Sequence, residues 1–266
     1  MGTARVGSHT IYYDERGQGP PLLLIPGLGA TRFSWWKQIE PLSQTSRVIN
    51  IDNRDAGDSA PGTGPYTIAD MAEDAAGVLH ELKLGPATVI GWSMGGFISL
   101  ELAARHPALV DKLILVATSA GGPTQIGAAP EIVALLARNE SEDIETRVRR
   151  VFPLIAGRGY MQSHSEDLDQ LVRHAQTRPM ALDAYQRQLS AVMGWAGVSD
   201  RLDQIRLPTL IIHGDADPLI PYANGQYMAA HIRGAKLSTY AGVGHLVPIE
   251  AAERFNQDAI EFLARN

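Results

Sequence analysis

Not one cysteine occurs among the 266 residues, which removes disulfides, thiolate metal sites and a cysteine nucleophile from consideration. Long apolar runs are missing as well, none approaching the roughly 18 residues needed to span a bilayer. Cationic patches are absent: the formal net charge is −6 and Lys and Arg form no stripe. This balance argues against a nucleic-acid partner, whose phosphates need clustered Lys and Arg. No His-Glu-x-x-His run, phosphate loop or dinucleotide fingerprint is present, so neither a metal nor an organic cofactor is expected. Met1 to Val6 leads into polar residues without a signal-like apolar core, and Val6 stands where a myristoylation motif wants Ser or Thr. A cytoplasmic protein acting on a small molecule, away from membranes, is the expectation.

With 45% hydrophobic residues the chain can bury one sizeable core. His9 to Tyr13, the polar run Asp14 to Pro20, and Leu22 to Ile25 read as a hairpin arm feeding a buried strand. Helices and strands then alternate. Trp35, Trp36, Ile39 and Leu42 have helical spacing, Val48 to Ile51 is a strand, and Thr67-Ile68-Ala69-Asp70 has the form of a capping box. Ile68, Met71, Ala75, Val78, Leu79 and Leu82 share one helical face after it. Strand Ala87 to Ile90, a helix ending near His106-Pro107, and strand Leu113 to Val116 complete the series. This β-α alternation implies an α/β fold: a mainly parallel sheet with helices on both faces and ligands at the carboxyl ends of its strands. From residue 123 to 200 helical periods run without strands, which predicts a helical cap inserted between core segments 1–122 and 201–266. Strand character returns at Thr209 to Ile212 and Lys236 to Tyr240, before a last helix carrying Phe255, Ile260, Phe262 and Leu263.

Gly91-Trp92-Ser93-Met94-Gly95-Gly96 sits at one of these strand-to-helix junctions. A serine on so sharp a turn suits a nucleophile, with the glycines supplying room where backbones approach. A serine hydroxyl needs a base within reach and an acid to hold that base in the right tautomer. His245 lies in the loop Gly242 to Pro248, directly after the last strand, where it should stand above the carboxyl edge of the sheet. His213 is the rival, read as a packed residue beneath the acid loop. For the acid, His213-Gly214-Asp215-Ala216-Asp217-Pro218 puts two aspartates just past a strand, and one of them should face the histidine.

Taken together these segments resemble the α/β-hydrolase family over essentially the whole chain apart from the cap. The resemblance implies the order nucleophile, acid, histidine. Ser93 matches the nucleophile, His245 the late histidine, and Asp217 the acid of a Gly-x-x-Asp-x-x-x-Pro loop running through Gly214 and Pro221. It also implies an oxyanion hole from the backbone N–H groups of Met94 and of Leu28 in Ile25-Pro26-Gly27-Leu28-Gly29, where Pro26 replaces the family's common histidine. The family's Asp-x-Arg-Gly-x-Gly-x-Ser loop is matched by Asp52 to Ser59, except that Asp55 takes the place of a glycine. That loop reads as structural, with Arg54 pairing a carboxylate. Pro65 to Met71 and Ala184 to Leu189 are similar to enol-lactonase-like members, which implies a serine hydrolase that cleaves a carboxylic ester or lactone through an acyl-enzyme. Phe152, Tyr160, Tyr185, Met193 and Trp195 would suit an apolar acyl or alcohol group. Cofactor-free haloperoxidase or perhydrolase activity and carbon-carbon bond hydrolysis are the alternatives on the same triad. A small-molecule receptor with little or no turnover is the alternative of another class, ranked lower because all three triad members are present.

Overall fold

A computed structural model describes residues 1–138 and 141–265. Its eight strands are β1 (Gly2–Val6), β2 (His9–Arg16), β3 (Pro21–Ile25), β4 (Arg47–Ile51), β5 (Ala87–Trp92), β6 (Val110–Val116), β7 (Thr209–Gly214) and β8 (Lys236–Tyr240). They form one sheet in the order β1-β2-β4-β3-β5-β6-β7-β8. Pairings β1 with β2 and β2 with β4 are antiparallel, and every pairing from β4 to β8 is parallel. The short apolar runs of the sequence are the parallel strands because both of their faces are covered. Leu22, Leu24, Ile90, Ile114 and Ile212 pack into one buried cluster, while Leu23, Ile25, Val89, Leu113 and Ile211 pack into the other.

Helices α1 (Ile39–Ser43), α2 (Ile68–Glu81) and α3 (Met94–Arg105) connect the central strands. Thr67 opens α2 with both hydrogen bonds of the expected capping box to Asp70. Between β6 and β7 the described residues carry helices and no strand: α4 (Pro130–Val133), α5 (Ile144–Ile155), α6 (Tyr160–Ser163), α7 (Ser165–Thr177) and α8 (Leu182–Met193). Helices α9 (Ala223–His231), α10 (Val247–Glu250) and α11 (Ala252–Leu263) complete the chain, α11 placing Phe255 and Phe262 against the sheet. No helix among the described residues is long and apolar enough to cross a membrane.

One local expectation is corrected. The arm at His9 to Tyr13 does not form a hairpin with β3; it turns through Gly7 to pair with β1 and lies against β4 on its other side. Strand β1 escapes recognition in the sequence because of its edge position: only Ala4 is buried, so no apolar alternation marks it.

The loop after β4 is fastened to α2 by a buried ion pair. Arg54 reaches Asp74 with Nε at 2.5 Å from Oδ2 and Nη2 at 2.7 Å from Oδ1, and Arg54 Nη2 also donates to Asp70 O. Both residues are buried, so removing one partner leaves a charge without solvent or counterion. Arg54→Met is expected to destabilise the fold by about 3–5 kcal/mol in urea unfolding; a loss below about 1 kcal/mol would show that the pair is not a fastening.

Candidate active site

Strand β5 delivers Ser93 to the sheet's carboxyl edge, and the turn into α3 gives it no ordinary backbone conformation. Its φ is 57° and ψ −119°, a region that costs a side-chain-bearing residue about 1–3 kcal/mol and persists only where surroundings impose it. The imposition is steric. A Cβ on Gly91 would lie 2.2 Å from Gly95 O, and one on Gly95 would lie 2.1 Å from Ile25 O at the end of β3. The strained turn is held by Ser93 N–H to Val116 O at 2.9 Å, with Thr118 Oγ1 and Gly96 N–H both donating to Ser93 O.

The acid loop leaves β7 at Gly214. Asp217 Oδ1 accepts the N–H groups of Leu219 and Ile220, each at 2.9 Å, so the side chain closes its own turn. Its Oδ2 lies 2.8 Å from His245 Nδ1, and both residues are buried. Since an ionised Oδ2 can only accept, Nδ1 carries the proton, and in the neutral imidazole Nε2 is the nitrogen with the free lone pair. His213, fully buried, directs Nε2 to Ile220 O at 2.8 Å and stands 3.4 Å from Asp217 Oδ2. It therefore packs beneath the acid loop, as the sequence suggested. Asp215 faces the other way and accepts Gly242 N–H at 2.7 Å, which pins the start of the His245 loop. Burial acts to raise the Asp217 carboxyl, but the charge of His245 and hydrogen bonds from His213 and His245 prevail and bring it down to about 2.

The His245 loop is fastened from several sides. His245 N–H donates to Ile155 O at the end of α5, and Trp92 Nε1 donates to His245 O at 3.0 Å. Glu250 accepts the N–H groups of Gly157, Gly244 and Leu246. Sequence reading missed Glu250 because its partners are backbone groups, which no residue pattern reveals. Leu28 and Met94, expected as oxyanion donors, flank Ser93 in one cavity: Leu28 N–H donates to no group among the described residues, and Met94 opens α3, where helix geometry gives the first amides no acceptor.

Ser93 and His245 both line this cavity of about 450 Å³. No hydrogen bond joins Ser93 Oγ to His245 Nε2 among the described residues; in sites of this kind such bonds are often long without substrate and tighten in the complex. Of the five large side chains singled out in the sequence, Phe152, Tyr185, Met193 and Trp195 line the cavity. Tyr160 does not, its hydroxyl lying 2.6 Å from Asp167 Oδ2. Asp55, the departure from the family loop, has φ 68° and forms a two-point ion pair with Arg187 of α8, at 2.9 Å through Nε and 2.7 Å through Nη2. Tyr66 and Gly62 N–H also bond to it. Burial would raise the Asp55 carboxyl, yet Arg187, Gly62 and Tyr66 hold it below the usual range. An aspartate here joins the core to the helices lying over it.

The chain belongs to the alpha/beta hydrolase fold family, whose model matches residues 20–252. It is 32% identical over 244 residues to a poly(3-hydroxyalkanoate) depolymerase of Ectopseudomonas oleovorans, covering 91% of this chain and 84% of that one. It is 27% identical over 271 residues to a 2-hydroxy-6-oxononadienedioate/2-hydroxy-6-oxononatrienedioate hydrolase of Paraburkholderia xenovorans, covering 97% and 92%. Among solved structures, the enol-lactonase from Burkholderia xenovorans LB400 superposes with a TM-score of 0.88 at 27% identity, over 99% of this chain and 100% of that chain. The protein is accordingly a hydrolase.

Because the Asp217 carboxyl is lowered in the folded state, its contribution to stability is present above the unfolded value near 4 and is lost as pH falls through about 2. Between those limits the unfolded chain binds more protons. Stability of the wild type should therefore fall more steeply from pH 4 to pH 2 than that of Asp217→Asn, measured by urea unfolding at each pH. Parallel slopes would contradict the assigned pairing.

Proposed function

We propose that this hydrolase cleaves carboxylic esters or lactones through an acyl-enzyme, with Ser93 as nucleophile, His245 as general base and then general acid, and Asp217 as the group that stabilises the imidazolium. One observation carries the reading: a serine in a sterically enforced turn and a histidine bonded to a buried carboxylate open into the same cavity. Residues 123–200 act as the cap over that cavity.

In the proposed cycle Ser93 Oγ attacks the substrate carbonyl carbon while His245 Nε2 takes its proton. Negative charge collects on the carbonyl oxygen, where the N–H groups of Leu28 and Met94 receive it; such preorganised donors cost no reorientation when the charge appears. His245 returns the proton to the departing alcohol oxygen, which in a lactone stays tethered to the acyl group. Water then attacks the acyl-Ser93 ester with His245 as base, giving the carboxylic acid and free Ser93. Phe152, Met193 and Trp195 give the cavity apolar wall surface, which suits an apolar acyl or alcohol group.

The test is a pH-stat survey of short and long acyl esters and of lactones, run with wild type and Ser93→Ala. Turnover by the wild type with a loss of about 10⁴-fold or more in the variant is expected. A variant within tenfold of wild type would exclude Ser93 as nucleophile. Burst trapping without steady-state product would instead mark a receptor.

A further inference from the structure

We infer that Trp195 limits how long an acyl or alcohol group the cavity accepts, and that Glu101 is the positioning residue that fixes its indole for that task; the inference rests on the proposed cleavage of esters or lactones. Along α3 the cavity has a definite extent. Ser93 at the start of the helix, then Met94 and Phe97 within it, line the cavity, whereas Glu101 does not. At about 1.5 Å of rise per residue, Ser93 to Phe97 covers about 6 Å. Phe97 and Glu101 are four residues apart and lie one above the other on the same helix face. The side chain that occupies the place over Glu101 is Trp195.

The indole is held from three directions. It stacks on Phe97, with ring centroids 4.5 Å apart and planes at 24°, and its Nε1 donates to Glu101 Oε1 at 3.0 Å. Its benzo ring meets the backbone that follows β6: a Cβ on Gly121, whose φ is +64°, would lie 2.8 Å from Trp195 Cζ3. Val198 N–H donates to Ala120 O at 2.8 Å, which ties the chain just after Trp195 to the chain just before Gly121. A ring fixed by its face, its N–H and its far edge cannot swing aside for a longer chain, so it acts as a stop.

Glu101 is buried, which would be costly for a carboxylate left alone. Its charge is met by two arginines: Oε2 accepts Arg105 Nε at 3.0 Å, and Arg201 Nη2 stands 3.6 Å from Oε1. The proposed cycle makes no use of it, since it lies about two turns along α3 from Ser93 and outside the cavity lining. Trp195 is its connection to the site. Met193, two residues before Trp195, gives a contrast: it also lines the cavity but is 65% exposed. It belongs to the rim, and its truncation is a control for simple widening.

The experiment measures kcat/KM for p-nitrophenyl esters from acetate to decanoate, which lengthen the acyl group, and for methyl to octyl butyrates, which lengthen the alcohol. Wild type, Trp195→Ala, Glu101→Gln, Glu101→Leu and Met193→Ala are compared, with thermal unfolding of each. In the wild type kcat/KM should rise by about fourfold per methylene buried and then fall at a definite length in one of the two series. Trp195→Ala should move that limit out by at least about two carbons and raise kcat/KM for the first ester beyond the wild-type limit by about tenfold or more. Glu101→Leu should gain at least about threefold on the same ester, whereas Glu101→Gln, which keeps an oxygen for the indole N–H, should leave the limit in place. Met193→Ala should change rates without moving the limit. The inference is overturned if the wild type shows no limit, if Trp195→Ala leaves it unmoved, or if Met193→Ala moves it as far; the part given to Glu101 is overturned if Glu101→Leu and Glu101→Gln behave alike. Should Trp195→Ala or Glu101→Leu fail to fold, Trp195→Leu and Glu101→Met carry the same comparisons. Ester turnover that persists in Ser93→Ala, or none by the wild type, overturns the proposed function itself, a result distinct from Ser93-dependent turnover with an unmoved limit.

Discussion

The turn between β5 and α3 has no volume to spare, and the site is built around that shortage. The Gly95 backbone passes so near the end of β3 that a methyl group cannot enter, and Gly91 meets Gly95 across the turn. Under that contact Ser93 has only a strained conformation to occupy, with its side chain at the cavity and the first amide of α3 beside it. The strain of about 1–3 kcal/mol is offset by the sheet and helix on either side. Parallel strands make this possible, since β3 and β5 end at the same edge.

Asp217 and His245 come to the same edge by a different route. β7 and β8 run parallel to β5, so the loops that follow them open on its side of the sheet. Both loops depend on backbone bonds: Asp217 closes its own turn, Asp215 holds Gly242, and Glu250 gathers three amides. The turn-forming and chemical uses of Asp217 divide between its two oxygens, Oδ1 to the backbone and Oδ2 to His245. A buried carboxylate with every partner supplied remains ionised, which favours a neighbouring imidazolium when a proton arrives.

Much of this was legible in the residues themselves. The parallel strands announce themselves as short apolar runs, and Thr67 with Asp70 announces the start of α2, because these signals are local. The elbow is readable because steric exclusion demands glycine at fixed offsets from Ser93. By contrast, β1 is an edge strand with one buried residue and leaves no periodic trace. Glu250 acts through the backbone N–H groups of Gly157, Gly244 and Leu246, and nothing in a sequence marks an amide as a partner. Asp55 stood out only as a residue where glycine was expected. Its meaning depends on Arg187, 132 positions away, and becomes readable once α8 lies over the loop.

The central claim is that Ser93 is the nucleophile of this hydrolase, and covalent trapping tests it most directly. The protein would be treated with a fluorophosphonate and followed by intact mass, then by peptide mapping. The account predicts a single adduct on Ser93 that forms far more slowly in His245→Ala. Rapid labelling of another residue, or none at Ser93 in a protein that turns over esters, would contradict it.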